Sequence, residues 1–162
     1  MPHILIICTA NICRSPVAEA LLRDRLEMQE YEGYTVSSAG TWADGGQRAS
    51  TYGVEIMAEQ DLDISGHRSQ VVDKAQLLKS DLVLCMESGH AEALRAEFPD
   101  QAEKIHMLTE MLHMRYSISD PYGGPRENYE RMVDELTDLV EGGLAQITSL
   151  AEANAAKREE EE

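Results

Sequence analysis

The chain has 162 residues, 43% of them hydrophobic and 27% charged, which suits one domain around a single buried core. Its formal net charge is −16, and the last twelve residues supply only −3 of it, five Glu against Lys157 and Arg158. So acidic a body argues against nucleic acid and anionic membrane surfaces as partners. It also requires local positive groups wherever an anion is to be admitted. Ile4–Cys8 is the longest apolar stretch near the start, too short to cross a membrane and without the pattern of a secretory signal. Cytoplasmic residence is therefore expected. Three cysteines cannot complete a disulfide framework. His3, His90, His106 and His113 are scattered singly and read as surface or internally satisfied residues, so no metal is called for.

In chain order, Ile4–Cys8 is continuously apolar and rich in β-branched residues, the pattern of a parallel strand covered on both faces. Ser15-Pro16 opens a helix running to about Gln29, with Ser at the cap and Pro at the first helical position. A second strand is expected at Tyr34–Ser37, then a helix from about Gly46 to Gln60 and another after Ser69. Asp81–Cys85 reads as the third strand. Ser88 to Glu97 reads as a helix ending before Pro99, and Ile105–Leu108 as the fourth strand. From Pro125 onward Tyr129, Met132, Val133, Leu136, Leu139, Val140, Leu144 and Ile147 recur at helical spacing, with Gly142-Gly143 as a weak point. The alternation predicts an α/β fold, an open four-stranded parallel sheet with helices on both faces and a phosphate loop after strand one. Residues 1–156 form the single domain, and the acidic residues 157–162 are expected to be disordered.

In such sheets ligands bind beyond the carboxyl ends of the strands, which puts the chemistry at Cys8-Thr9-Ala10-Asn11-Ile12-Cys13-Arg14-Ser15. A chain that leaves a buried strand, turns through five residues and enters a helix can aim successive N–H groups at one point. That concavity, backed by a helix N-terminus, binds an oxyanion. Arg14 adds a planar fork matched to two phosphate oxygens. The same field favours the thiolate, the nucleophilic form of Cys8, and the Ser15 hydroxyl can donate to it.

Ile7 through Ala20 resembles the N-terminal signature of low molecular weight protein tyrosine phosphatases. The similarity continues through Ser37–Thr41, Asp63–Arg68, Asp81–Met86 and Asp120-Pro121-Tyr122, in the family's order. The resemblance implies Cys8 as nucleophile, Arg14 as phosphate-binding cation and Asp120 as general acid and base, with no cofactor. It also implies phosphotyrosine protein substrates and a monomer or weak dimer. The loop asparagine matches Asn11, with Ser38 and His67 as its supports, and Trp42 and Tyr122 are placed to flank an aromatic substrate. One departure is Ala10, where the family usually has Gly; a positive φ there would strain the loop by about 1 kcal/mol. Arginine phosphatases of the same fold carry Thr where this chain has Ile12, so Ile12 favours a flat aromatic ester. Arsenate reduction would need two further downstream cysteines, and only Cys85 is there. A non-catalytic phosphopeptide-binding module would have lost Cys8, Arg14 or Asp120. Cys13 either fills space beneath the loop or pairs with Cys8 on oxidation.

Overall fold

Ile4 through Ile7 are all apolar because strand β1 (His3–Cys8) is central and covered on both faces. The computed structural model describes all 162 residues. Strands β2 (Thr35–Gly40), β3 (Leu82–Cys85) and β4 (Ile105–Met107) join β1 in one parallel sheet, in the order β2-β1-β3-β4. Ile4 and Ile6 face helices α1 (Arg14–Met28), α2 (Thr51–Glu59) and α5 (Arg126–Glu161), packing among Leu21, Leu22, Met57 and Leu136. Leu5 and Ile7 face the other way, toward Leu77 of α3 (Lys74–Lys79) and Ala91 and Leu94 of α4 (Ser88–Glu97). The α/β architecture with helices on both faces is as expected. No helix is long and apolar enough to cross a membrane.

Register places the site. Cys8 lies opposite Gly40 and Ile7 opposite Cys85, so the chain leaves β1, β2 and β3 at one edge of the sheet. All three following loops converge there.

Several boundaries differ from expectation. Strand β2 runs on to Gly40, carrying Ser38 to the loop edge. Residues 46–50 are not helical, because Gly46 N–H donates to Ser69 O and Ser69 N–H to Gln47 O, each at 2.8 Å. Helix α3 begins only at Lys74, after Val71 bridges to Gly40; Asp73 caps it by accepting from Gln76 N–H. Ser15 does not cap α1. Cys13 holds that position without a side-chain cap bond, and Ser15 turns inward instead.

Helix α5 passes unbroken through Gly142-Gly143. The glycines are there for close approach: a Cβ on Gly143 would stand 2.8 Å from Met111 Cβ, and one on Gly142 3.0 Å from Leu112 Cδ2. The intrinsic weakness of Gly in a helix is outweighed by tertiary packing. Residues 157–161, expected to be disordered, continue the same helix. Arg158 anchors them, donating from Nε to Asp81 Oδ1 at 2.8 Å, and the Asp81 side chain is only 1% exposed. A charge so buried needs its partner, which holds the last turns of helix onto the sheet.

Candidate active site

Among non-glycine residues only Asn11, Glu30, Asp61 and His113 have positive φ. Asn11 sits at +59°, so the left-handed turn of the loop falls on the residue type that tolerates it. Ala10 has no such strain, and its methyl group is accommodated. Asn11 is fully buried and every side-chain group is used. Its Nδ2 donates to Ser15 Oγ at 2.7 Å and to Ser38 Oγ at 2.9 Å, while Oδ1 accepts from Gln70 N–H at 3.0 Å. His67 Nε2–H donates to the Asn11 carbonyl at 2.7 Å. Ser38 and His67 thus both meet Asn11. Because Ser15 Oγ accepts from Asn11, its own hydrogen is left for Cys8 Sγ, 2.9 Å away.

Gly40 lets the loop approach β2. A Cβ there would fall 2.3 Å from Thr9 O and 3.1 Å from Asn11 N. Beyond Gly40, Thr41 N–H donates to Cys8 O and Trp42 N–H to Thr9 O, so the next segment is laced onto the loop. On the other side Ser50 N–H donates to Ile12 O at 2.8 Å.

Arg14 is 1% exposed. Nη1 donates to Ile118 O at 2.7 Å, and Nη2 lies 2.8 Å from Glu87 Oε2 and 3.5 Å from Asp120 Oδ2. Its Nε is buried with no partner at all. An unsatisfied buried guanidinium N–H is costly, and it is the feature expected of a donor reserved for an oxyanion. In an acidic protein, this cation and the loop amides are the local groups that can admit one.

Cys8, Ile12, Arg14, Trp42, Asp120 and Tyr122 line one cleft of about 360 Å³, with Asp44 and Gln47 on its wall. Cys8 and Arg14 lie deepest, while Trp42 and Tyr122 are 84% and 71% exposed at the rim. Tyr122 N–H donates to Asp120 Oδ1 at 3.1 Å, fixing the carboxylate beside the guanidinium. Asp120 is 112 positions from Cys8, and only the common sheet edge unites them. Thr9 and Ile12 are half-buried loop residues, and Cys13 is buried beneath, with Sγ 3.7 Å from Tyr129 Oη. Burial pushes the Cys13 thiol up and the Tyr129 hydroxyl up to about 12, so both stay protonated. Cys85 is buried in β3, where desolvation raises its thiol strongly.

Glu87, His90 and Gln70 belong to the site and were missed. His90, read as an isolated satisfied histidine, lies against Thr9 at 2.9 Å. Glu87 could have been found, since it follows β3 at the edge where ligands bind.

A family model for low molecular weight phosphotyrosine protein phosphatases matches residues 3–155. The chain belongs to that family. As a low molecular weight phosphatase it is a hydrolase of the phosphoric monoester class, and its relatives act on proteins. A probable low molecular weight protein-tyrosine-phosphatase, EpsP, of Ralstonia solanacearum is 39% identical over 147 residues, covering 91% of this chain and 97% of that one. A protein-arginine-phosphatase of Geobacillus stearothermophilus is 36% identical over 143 residues, covering 87% of this chain and 93% of that one. The crystal structure of a low molecular weight protein tyrosine phosphatase from T. tengcongensis superposes with a TM-score of 0.86 at 32% identity, covering 90% of this phosphatase and 99% of that one. Phosphatases named for tyrosine and for arginine are thus about equally similar to it.

Proposed function

We propose that this phosphatase hydrolyses phosphotyrosine in proteins, and aryl phosphates, through a phosphocysteine on Cys8. The observation that carries this reading is the lining of one cleft, a buried thiol and guanidinium beneath Ile12, Trp42 and Tyr122. The phosphoryl group is met by Arg14 and the loop N–H groups, and the phenyl ring by apolar and aromatic side chains.

In the first step the Cys8 thiolate attacks phosphorus, forming the S–P bond as the P–O bond to the phenol breaks. Asp120 gives its proton to the departing oxygen. In the second, ionised Asp120 takes a proton from water, whose oxygen attacks phosphorus. The S–P bond breaks and inorganic phosphate leaves. The Ser15 hydroxyl, hydrogen-bonded to Sγ, stabilises the thiolate that is consumed and regenerated. The Arg14 Nε–H, without a partner in the protein, stabilises the charge of the equatorial oxygens.

Hydrolysis of phosphoarginine is the second reading. Asp44 and Asp120 share the cleft, and two carboxylates would suit a guanidinium leaving group. Ile12 argues the other way, since a branched apolar side chain covers a ring better than it solvates a cation. Turnover of phosphotyrosine and phosphoarginine peptides separates the two. The wild type should favour phosphotyrosine at least ~10-fold in kcat/KM, and Ile12→Thr should narrow that ratio, as for one apolar contact in a pocket. A wild-type preference for phosphoarginine would overturn the tyrosine reading.

A further inference from the structure

Two of the loop's contacts go to the first turn of α4, and neither is explained by the chemistry above. His90 is buried, and its Nδ1 accepts the Glu87 N–H at 3.2 Å. A ring nitrogen that accepts carries no proton, so in the neutral imidazole the hydrogen lies on Nε2. Nε2 stands 2.9 Å from Thr9 Oγ1 and 3.4 Å from Glu87 Oε2. Those two oxygens are also acceptors for Arg14 Nη2, at 3.3 Å and 2.8 Å. Thr9 Oγ1 therefore accepts twice, from His90 and from Arg14, and cannot turn away without losing both bonds.

We propose that His90 is a positioning residue for Arg14, donating Nε2–H to Thr9 Oγ1 so that Thr9 and Glu87 together set the plane of the guanidinium. Anchored at Nη1 by the Ile118 carbonyl alone, that plane could pivot. The contacts at Nη2 stop the rotation and leave Nε, which has no protein partner, for phosphate. Burial outweighs the pull of Glu87 and Asp120 and, with the Arg14 charge, keeps the ring neutral, the form this geometry needs. The two nitrogens have separate duties. Nδ1 caps α4, and Nε2 acts on the loop.

This inference rests on Arg14 being the group that meets the phosphate. It is tested with p-nitrophenyl phosphate on His90→Asn, which keeps an acceptor near Nδ1, and His90→Gln, which keeps a donor near Nε2. Thr9→Val and the His90→Asn/Thr9→Val double variant complete the set, each with its thermal unfolding curve. His90→Asn and Thr9→Val should each lose about tenfold in kcat with a smaller change in KM, the effect of one hydrogen bond realised in the transition state. His90→Gln should recover most of the loss, and the double variant should be no worse than the worse single. Wild-type kcat in Thr9→Val, or losses that multiply in the double variant, would overturn the inference. Should His90→Asn not fold, Thr9→Val decides alone, since it leaves the α4 cap intact. An active wild type with unaffected variants rejects only the role of His90. Full activity in Arg14→Lys removes the reading of Arg14 and this inference with it.

Discussion

Gly40→Ala should lower kcat/KM for an aryl phosphate at least ~100-fold, although residue 40 carries no functional group. The added methyl would overlap Thr9 O at 2.3 Å and approach Ala43 Cβ at 2.9 Å and Asn11 N at 3.1 Å. Two of those three atoms are backbone, so no rotamer change relieves the clash. The loop must move away from β2, and with it the N–H groups proposed to bind the phosphate. Over-packing of this kind costs about 1–3 kcal/mol of stability, a loss a well-folded domain survives. The expected variant is therefore folded and nearly inactive. Gly45→Ala is the control, since its Cβ would meet nothing within 4 Å, and it should leave both activity and melting temperature unchanged. Steady-state kinetics with a thermal melt on both variants check the pair. Near-normal activity in Gly40→Ala would mean that the loop tolerates displacement.

Asp120→Ala should lower kcat by about 10²–10⁴-fold, the usual contribution of a positioned general acid. The loss should depend on the leaving group. A phenol of ordinary acidity needs the proton at the moment of P–O cleavage, whereas a strongly acidic phenol departs without it. A series of aryl phosphates should thus give a shallow dependence on phenol acidity in the wild type and a steep one in Asp120→Ala. A uniform loss across the series would remove Asp120 from proton transfer. Asp120 also lies 3.5 Å from Arg14 Nη2, so phosphate binding to Asp120→Ala should be measured alongside, to separate proton donation from the ion pair.

Much of this site is local in the chain and could be read from it. An apolar strand, a tight turn and a Ser-Pro helix start bring Cys8, Asn11, Arg14 and Ser15 together within eight positions. Asp120 came only through resemblance, because pairing residues 112 positions apart is a property of the sheet and not of any local pattern. Glu87, His90 and Gln70 escaped for a related reason. Each is an ordinary polar residue until the fold brings it to the loop from 59 to 81 positions away. Gly142-Gly143 reads as a break by propensity, yet the close approach of Met111 and Leu112 makes it a packing requirement. Residues 157–161 read as unstructured by composition, yet one ion pair to a buried aspartate keeps them helical. Ala10 is harmless because Asn11, its neighbour, takes the positive φ. In each of these places a tertiary contact overrides a local preference.

In the proposed reaction the phosphoryl group is transferred to Cys8. Rapid quenching of the enzyme in acid during turnover of a phosphate-labelled aryl ester tests it most directly. Label should be covalently bound to the wild type at Cys8, more of it in Asp120→Ala with a good leaving group because hydrolysis of the intermediate is slowed, and none in Cys8→Ser, which should bind phosphate but not turn over. Full turnover in Cys8→Ser, or wild-type turnover with no label ever held at Cys8, would contradict it.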